Sequence, residues 1–530
     1  MCAMSGSRHK VSRSVCVSMS EVPRTRSPVV PDGRDGITLA LGFAAAAALG
    51  VFSLGRPLYG DQALFVVGAK QLLHGDALYI DFWDLKQPGI YWWYAAAGRI
   101  AGFREAGLHA VELLWQLATA LVLLALVRPS LQHPRLAAFV PLATTGLYYA
   151  TAGTGSLTQV ESLIALPLLL SILAFRLSER RARYRWALLL AAGSAGSIVL
   201  IFKLLYAPMV ASIWLALLIL TARGHRRGVS RVIVGGAWLS VGLMAPLLVT
   251  LLAVSQGGHL GYVLHTWFVV PPRIAALPDM RTANALSTGV RQFALSYAPC
   301  IALAAFAVVA RLRRNGDPLD LAFVVWIVTG IGMILSDFWW AYLWMHIVVP
   351  VGALAVLGLD ELVSQFPRRY SGRVKQGFAL LLSGGLLLSV GPLLVAGSVW
   401  RSQLTALVQH GLHGPEKYRQ KYYSEAATDL KRLNKSMAAR SMTVLGNPTI
   451  LYLANQDQAI PLNGWSPEIF LPEHCLSLKE QLSARPPDVV FVSSKFWLNV
   501  RRRCGQAYDP VSHYRILTST PRGAWFKSTM

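Results

Sequence analysis

The stretch Gly60-Asp61-Gln62-Ala63-Leu64-Phe65, running on to Asp81-Phe82-Trp83-Asp84-Leu85-Lys86-Gln87-Pro88-Gly89, decides how the rest of the chain is read. It lies between two apolar runs and gathers Asp61, Lys70, His74, Asp76, Asp81, Asp84 and Lys86, too many charges for a segment immersed in hydrocarbon. Its pattern is nevertheless that of folded chain. Apolar residues recur at helical spacing from Gln62 to Leu73, and a second apolar run from Ile90 to Ile100 carries Tyr91, Trp92, Trp93 and Tyr94, side chains suited to a water–lipid boundary. We read residues 55–106 as a folded outer loop that brings carboxylates to the membrane surface.

The chain has 530 residues, 54% hydrophobic and 14% charged, with a mean hydropathy of +0.45. Its apolar residues fall in runs about as long as a bilayer is thick, which marks a polytopic α-helical membrane protein. A net charge of +24 would point to nucleic acid in a soluble chain. Its placement argues otherwise. Arg176–Arg185, Arg223–Arg231, Arg311–Arg314 and Pro367–Lys375 are short connections, the distribution of cytoplasmic loops, and no basic face with interleaved aromatics accompanies them, so no nucleic-acid partner is expected.

About eleven spans are expected, near 37–54, 107–127, 135–152, 158–176, 186–202, 204–222, 231–254, 292–310, 318–335, 341–358 and 376–398. With the amino terminus in the cytoplasm, the basic connections 128–134, 177–185, 223–230, 311–317 and 359–375 all fall inside, an agreement that one missed early span would destroy. Residues 1–35 then form a disordered basic cytoplasmic tail, 36–399 the transmembrane domain of an inner-membrane protein, and 400–530 an extracytoplasmic soluble domain. In that last domain a charged helix is expected over Lys417–Lys435, with strands at Met442–Leu445 and Val489–Val492, hence a small α/β fold. Cys475 and Cys504 both lie there and are candidates for a disulfide in an oxidising compartment; no cysteine spacing matches a structural zinc site.

Ionisable groups at or beside membrane depth are costly, so each one is a candidate site. Asp61 leads. Its residue type and position suit either a helix N-cap or an acid that accepts a proton from a hydroxyl. Asp81, Asp84 and Lys86 follow, and in extended backbone Asp84 and Lys86 share a face, where an ammonium can neutralise phosphate while a carboxylate meets a hydroxyl or a divalent metal ion. A surface ion pair is the plainer reading of those two. Lys203 ends an apolar run, where it meets a phosphate or simply snorkels. Tyr342 and His346 sit one turn apart beneath the turn 337–340, as site residues or as packing.

An acid just beyond the first span, an apolar helical segment, then Leu73-His74-Gly75-Asp76-Ala77-Leu78-Tyr79 and Asp84-Leu85-Lys86-Gln87-Pro88-Gly89 together resemble the first periplasmic loop of the GT-C membrane glycosyltransferases. The bacterial protein-mannosyltransferase-like and aminoarabinose-transferase-like families are the nearest in pattern. The resemblance is close over residues 55–105 and architectural elsewhere. It implies a polyprenyl-phosphate sugar donor, an inverting transfer on the outer face, and Asp61 as the base or acceptor-positioning acid. It also implies that Glu161 is a site acid, and that His265 and Arg273 meet the donor phosphates. Many members carry a second acid where this chain has Gln62.

No ATP-binding Gly-x-x-x-x-Gly-Lys-Ser/Thr loop, Gly-x-Ser-x-Gly elbow or His-Glu-x-x-His pair occurs, so the energy for any transfer arrives with an activated substrate. A transporter or flippase of lipid-linked precursors is the rival class. It predicts paired halves and broken midplane helices, and no internal pairing is visible. The sugar, the acceptor (protein, lipid or glycan) and any metal dependence are left open.

Overall fold

The computed structural model describes residues 33–365 and 399–529, apart from 224–227, 256–258, 278–280, 313–316, 338, 434–436 and 438–439. The expected span at 376–398 and nearly all of the expected tail lie outside the described residues. Among those described, eight helices are long and apolar enough to cross a bilayer: Glu105–Ser130, Val160–Arg180, Ala182–Phe202, Leu204–Ala222, Gly228–Val254, Ala283–Arg311, Pro318–Ser336 and Ala341–Gln365. The protein is an integral, multi-pass membrane protein. Helix α1 (Gly33–Val51) is a shorter apolar helix at the position of the first expected span.

The expected span at 135–152 takes a different form. Between Pro134 and Thr151 the chain passes through 3-10, α and π turns around Pro141, whose ring nitrogen has no proton to donate to a helical ladder. Nearly every residue from Leu136 to Thr151 is buried, and Thr144 and Thr151 return their hydroxyls to the carbonyls of Val140 and Leu147. A helix so interrupted is tolerated at membrane depth because its neighbours enclose it.

Burial separates centre from rim. The span Ala341–Gln365 is 94% buried along its apolar window, whereas Gly228–Val254 is 17% buried and presents Leu, Val and Ile side chains outward, as a lipid-facing helix does. That outer helix is held to Arg185–Phe202 through two glycines. A Cβ on Gly193 would strike the carbonyl of Leu239, and one on Gly242 that of Leu190, so the backbones approach as small-residue membrane interfaces allow.

The first loop contains two helices, α2 (Gly60–His74) and α3 (Gly89–Ala101), before α4 (Glu105–Val127) enters the membrane. The carboxy-terminal domain contains, after the helix Val399–His410, helix α5 (Gly414–Lys431) and a four-stranded sheet ordered β1-β2-β4-β3, with β1 Met442–Leu445, β2 Val489–Ser493, β3 Tyr514–Thr520 and β4 Gly523–Ser528. Strands β1 and β2 run parallel, with Met442 opposite Val489, and the hairpin β3–β4 adds antiparallel pairs. The two parallel strands were legible from their β-branched runs. The hairpin was not, because β3 is half exposed and mixes Arg, Thr and Ser with Ile and Leu. Cys475 and Cys504 are joined by a disulfide across this domain, with Cα atoms 5.8 Å apart.

The domain is seated on the first loop. Trp83 N donates to Pro461 O at 2.8 Å, Asn463 Nδ2 donates to Trp83 O at 2.9 Å, and Gln71 and Gln458 exchange bonds at 3.2 and 3.3 Å. Tyr423 Oη accepts from Leu58 N at 2.7 Å and donates to Glu105 Oε1 at 2.8 Å. Polar groups that burial would otherwise leave unsatisfied are thus paired across the seam.

Candidate active site

Asp61 lies in the first turn of α2, one residue beyond a glycine that makes room for its partner. The N-cap position belongs to Tyr59, whose backbone N–H is met by Gln62 Oε1 at 2.6 Å, so Asp61 does not serve as the cap. Its Oδ1 instead accepts from Trp465 Nε1 of the carboxy-terminal domain at 2.5 Å. The indole lies so close to Gly60 that a Cβ there would clash with its six-membered ring. Asp61 is 9% exposed, and its Oδ2 has no hydrogen-bond partner among the described residues.

Asp84 and Lys86 lie at a bend between the two loop helices, at Leu85–Lys86, and not in the extended backbone expected of them. Asp84 Oδ1 accepts from Leu85 N at 2.7 Å and Oδ2 from Tyr91 Oη at 2.5 Å, while Lys86 Nζ is 3.9 Å from Oδ2 and 5.0 Å from the centre of the Phe65 ring. Burial alone would lower the basicity of the Lys86 ammonium. The charges of Asp84, Asp61 and Glu161 outweigh it and hold the pKa above the ordinary lysine value, with Lys203 opposing weakly. Asp61, Asp84, Glu161 and Lys203 therefore all act on one ammonium, which keeps 28% of its side-chain surface open.

Glu161 and Lys203 form the other half. Lys203 interrupts the helices Arg185–Phe202 and Ala207–Ala222 in extended backbone, and its Nζ lies 3.2 Å from Glu161 Oε1 and 2.7 Å from Asp337 Oδ2. An ammonium between two carboxylates explains how charge is kept at the ends of four helices. Tyr206, inside the same junction, packs its ring 5.4 Å from that of His346. His346 is buried with Nδ1 2.5 Å from Leu343 O, and Tyr342 packs against Trp340 at 5.7 Å, both on the 3-10 turn Ala341–Ile347 rather than on a regular α-helix.

The remaining candidates lie farther out. Asp81 Oδ2 accepts from Ala77 N at 3.0 Å and shapes the loop turn. Arg273 pairs with Glu473 of the carboxy-terminal domain at an exposed edge, with nitrogens 2.5 and 3.2 Å from the two carboxylate oxygens. His265 opens a π turn whose next residues bind the first loop, since Trp83 Nε1 donates to Thr266 Oγ1 at 3.4 Å and Trp267 Nε1 to Tyr79 Oη at 2.8 Å.

No known-family model matches the sequence, and no curated protein matches it. Solved structures do. ArnT from Cupriavidus metallidurans, an aminoarabinose transferase, superposes in the apo state with a TM-score of 0.57 at 14% identity over 93% of this chain and 98% of that one. The same protein bound to undecaprenyl phosphate gives 0.53 at 14% identity, over 94% of this chain and 98% of that one. The oligosaccharyltransferase AglB from Archaeoglobus fulgidus, in complex with an inhibitory peptide and a dolichol-phosphate, gives 0.51 at 13% identity over 94% of this chain and 74% of that one. This chain has the GT-C fold. At such identities the likeness carries the architecture, and the chemistry must be argued from the residues.

Within the GT-C fold, Gln62 departs from the acidic pattern for a visible reason. It is fully buried, and its Nε2 donates to Thr154 O at 3.1 Å and also to Leu157 O, tying α2 to the turn that precedes Glu161. A carboxylate has no proton to give those carbonyls. The metal-binding role considered for the loop acids does not fit the residues present: among the described residues no group of three or more His, Cys, Asp and Glu could hold a metal ion, and both oxygens of Asp84 are already engaged. Sequence reasoning missed Trp465, Asp337 and Tyr91. Trp465 lies 404 positions from Asp61, so no local pattern joins them.

Proposed function

We propose that this protein transfers a sugar from a polyprenyl-phosphate-linked donor to an acceptor on the extracytoplasmic face of the membrane, with Asp61 as the base or acceptor-positioning acid. The observation that carries the proposal is a pair of ammonium–carboxylate groups beside membrane spans, Lys86 3.9 Å from Asp84 and Lys203 between Glu161 and Asp337, with Asp61 on the same first loop, in a chain of GT-C fold. The solved relatives that bear undecaprenyl phosphate and dolichol-phosphate supply the donor class by analogy.

In the proposed step an acceptor hydroxyl attacks the anomeric carbon, the bond from that carbon to the phosphate oxygen breaks, and polyprenyl phosphate leaves with the bonding pair. Oδ2 of Asp61 takes the hydroxyl proton, while Trp465 holds Oδ1 and so fixes the carboxylate plane. The Lys86 ammonium, kept protonated by its acidic neighbours, meets the charge that grows on the leaving phosphate. Asp84, held by Tyr91, keeps Lys86 in place, and the Lys203 ammonium between Glu161 and Asp337 borders the same space. His265 and Arg273 are assigned to the approach of the donor.

The test uses purified protein in detergent with a labelled polyprenyl-phosphate sugar. Transfer releases polyprenyl phosphate, and translocation alone releases none. Asp61→Asn should lower that release at least about 100-fold in a protein that still folds; wild-type turnover in the variant removes the role given to Asp61.

A further inference from the structure

A cleft of about 210 Å³ lies at the seam between the membrane domain and the carboxy-terminal domain; none of the acid cluster lines it, although Trp340 of its wall packs on Tyr342. Thr282 and Ala285 contribute from the start of the span Ala283–Arg311, and Trp340 from just before the span Ala341–Gln365. Glu468, Arg502 and Arg503 line it from the domain above. Two of its walls are therefore the ends of membrane helices, and a tryptophan stands at the level where aromatic side chains meet headgroups.

Its charges are of both signs. Arg501, Arg502 and Arg503 close the helix Ser494–Cys504, so three guanidinium groups gather at a helix end whose dipole favours cations. Arg501 is turned onto the Trp497 ring at 4.9 Å, and Arg503 Nε donates to the backbone oxygen of Glu468 at 3.0 Å. Arg502 is exposed and has no acidic partner among the described residues. Facing these groups, Glu468 has one carboxylate oxygen, Oε2, buried with no hydrogen-bond partner among the described residues, and its other oxygen is 4.0 Å from Lys495, a side chain 70% exposed. A carboxylate oxygen desolvated without a donor is costly, and a distant exposed lysine compensates little of that cost.

We infer that this cleft binds the headgroup of a membrane lipid that carries both a phosphate and a primary ammonium, as a phosphatidylethanolamine does. The exposed Arg502 guanidinium matches the phosphate, and an ammonium N–H supplies the donor that Glu468 lacks. The acyl chains would run down beside the two spans whose ends form the walls. A trimethylated choline headgroup offers no N–H to the carboxylate, and a glycerol headgroup offers no cation, so the site distinguishes lipids of equal bulk by hydrogen bonding. This site does not depend on the transfer reaction.

The test is native mass spectrometry of the full-length protein released from nanodiscs containing equal amounts of phosphatidylethanolamine, phosphatidylcholine and phosphatidylglycerol. The expected result is retention of the ethanolamine lipid about tenfold over the other two. Glu468→Gln should abolish the preference over choline, and Arg502→Gln should lower retention of all three lipids. Soluble phosphoethanolamine should displace the bound lipid, and inorganic phosphate at the same concentration should not. Equal retention of ethanolamine and choline lipids by the wild type overturns the proposal, as does a preference that survives Glu468→Gln. Preferential retention of the glycerol lipid, or equal displacement by inorganic phosphate, reduces the cleft to a plain anion site and overturns it as well.

Discussion

The indole Nε1 of Trp465 donates to Oδ1 of Asp61 at 2.5 Å, across 404 residues of sequence. One side chain thus ties the carboxy-terminal domain to the acid at the start of α2, and Gly60 is what lets the ring reach it. The domain supplies a side chain to the candidate site. Trp465→Phe keeps the ring and removes the donor. A hydrogen bond to a charged group contributes about 1.5–3 kcal/mol, so if that much orients the carboxylate in the transition state, release of polyprenyl phosphate should fall about 10- to 100-fold, measured in protein that remains folded at the assay temperature. A variant as active as the wild type would separate Trp465 from the reaction.

Gln62→Glu supplies the acid that resembling chains carry. Here the new carboxylate would face the carbonyls of Thr154 and Leu157, which now accept from the amide. The variant should be less stable by about 1–3 kcal/mol, read as a lowered thermal midpoint, and should not gain activity. Stability equal to wild type would mean that the turn at 154–157 adapts and that Gln62 is not its tie.

Lys203→Gln leaves Glu161 and Asp337 facing each other without the ammonium that now lies 3.2 and 2.7 Å from them. Removing one partner of a buried charge group costs about 3–5 kcal/mol. A chain that loses thermal stability in this single variant and recovers it when Glu161→Gln is added would locate the cost in the unpaired carboxylates. An equal loss in the double variant would assign it to packing instead.

His474 supplies a pH dependence. Burial against Trp83 and Phe470 pushes its pKa down from 6.5 to about 4, the pull of Glu473 being too weak to restore it. The folded protein then binds this proton less readily than the unfolded chain. Its contribution to stability is complete above about pH 6.5 and declines as the pH falls toward 4, at about 1.4 kcal/mol per pH unit within that window. Thermal midpoints measured across the window should fall on acidification, and His474→Gln should flatten the dependence. A profile unchanged by that substitution would place the titration elsewhere.

Much of the membrane domain was legible because lipid imposes a length and an apolarity that a linear pattern records. The runs at 107–127, 204–222 and 318–335 lie within membrane-length helices. The segment expected at 135–152 is helical from 134 to 151 but mixes 3-10, α and π turns, because apolarity reports depth and not helical regularity; Pro141 and the back-bonding threonines decide the latter. In the site, Asp84 and Lys86 are two positions apart and 3.9 Å from each other, across a bend and not along the extended chain that the spacing suggested. The partner of Lys203 did not follow, because Asp337 comes from another span.

By itself the sequence determined a multi-pass helical protein, a charged first loop led by Asp61, and strands at Met442–Leu445 and Val489–Val492, all features of short period or fixed length. Tertiary structure alone decided that Trp465 holds Asp61, that Gln62 ties the loop to the turn before Glu161, and that Lys203 sits between two carboxylates. Those contacts join elements far apart in the chain. Their energies depend on which groups burial leaves without water, and a linear sequence does not record that.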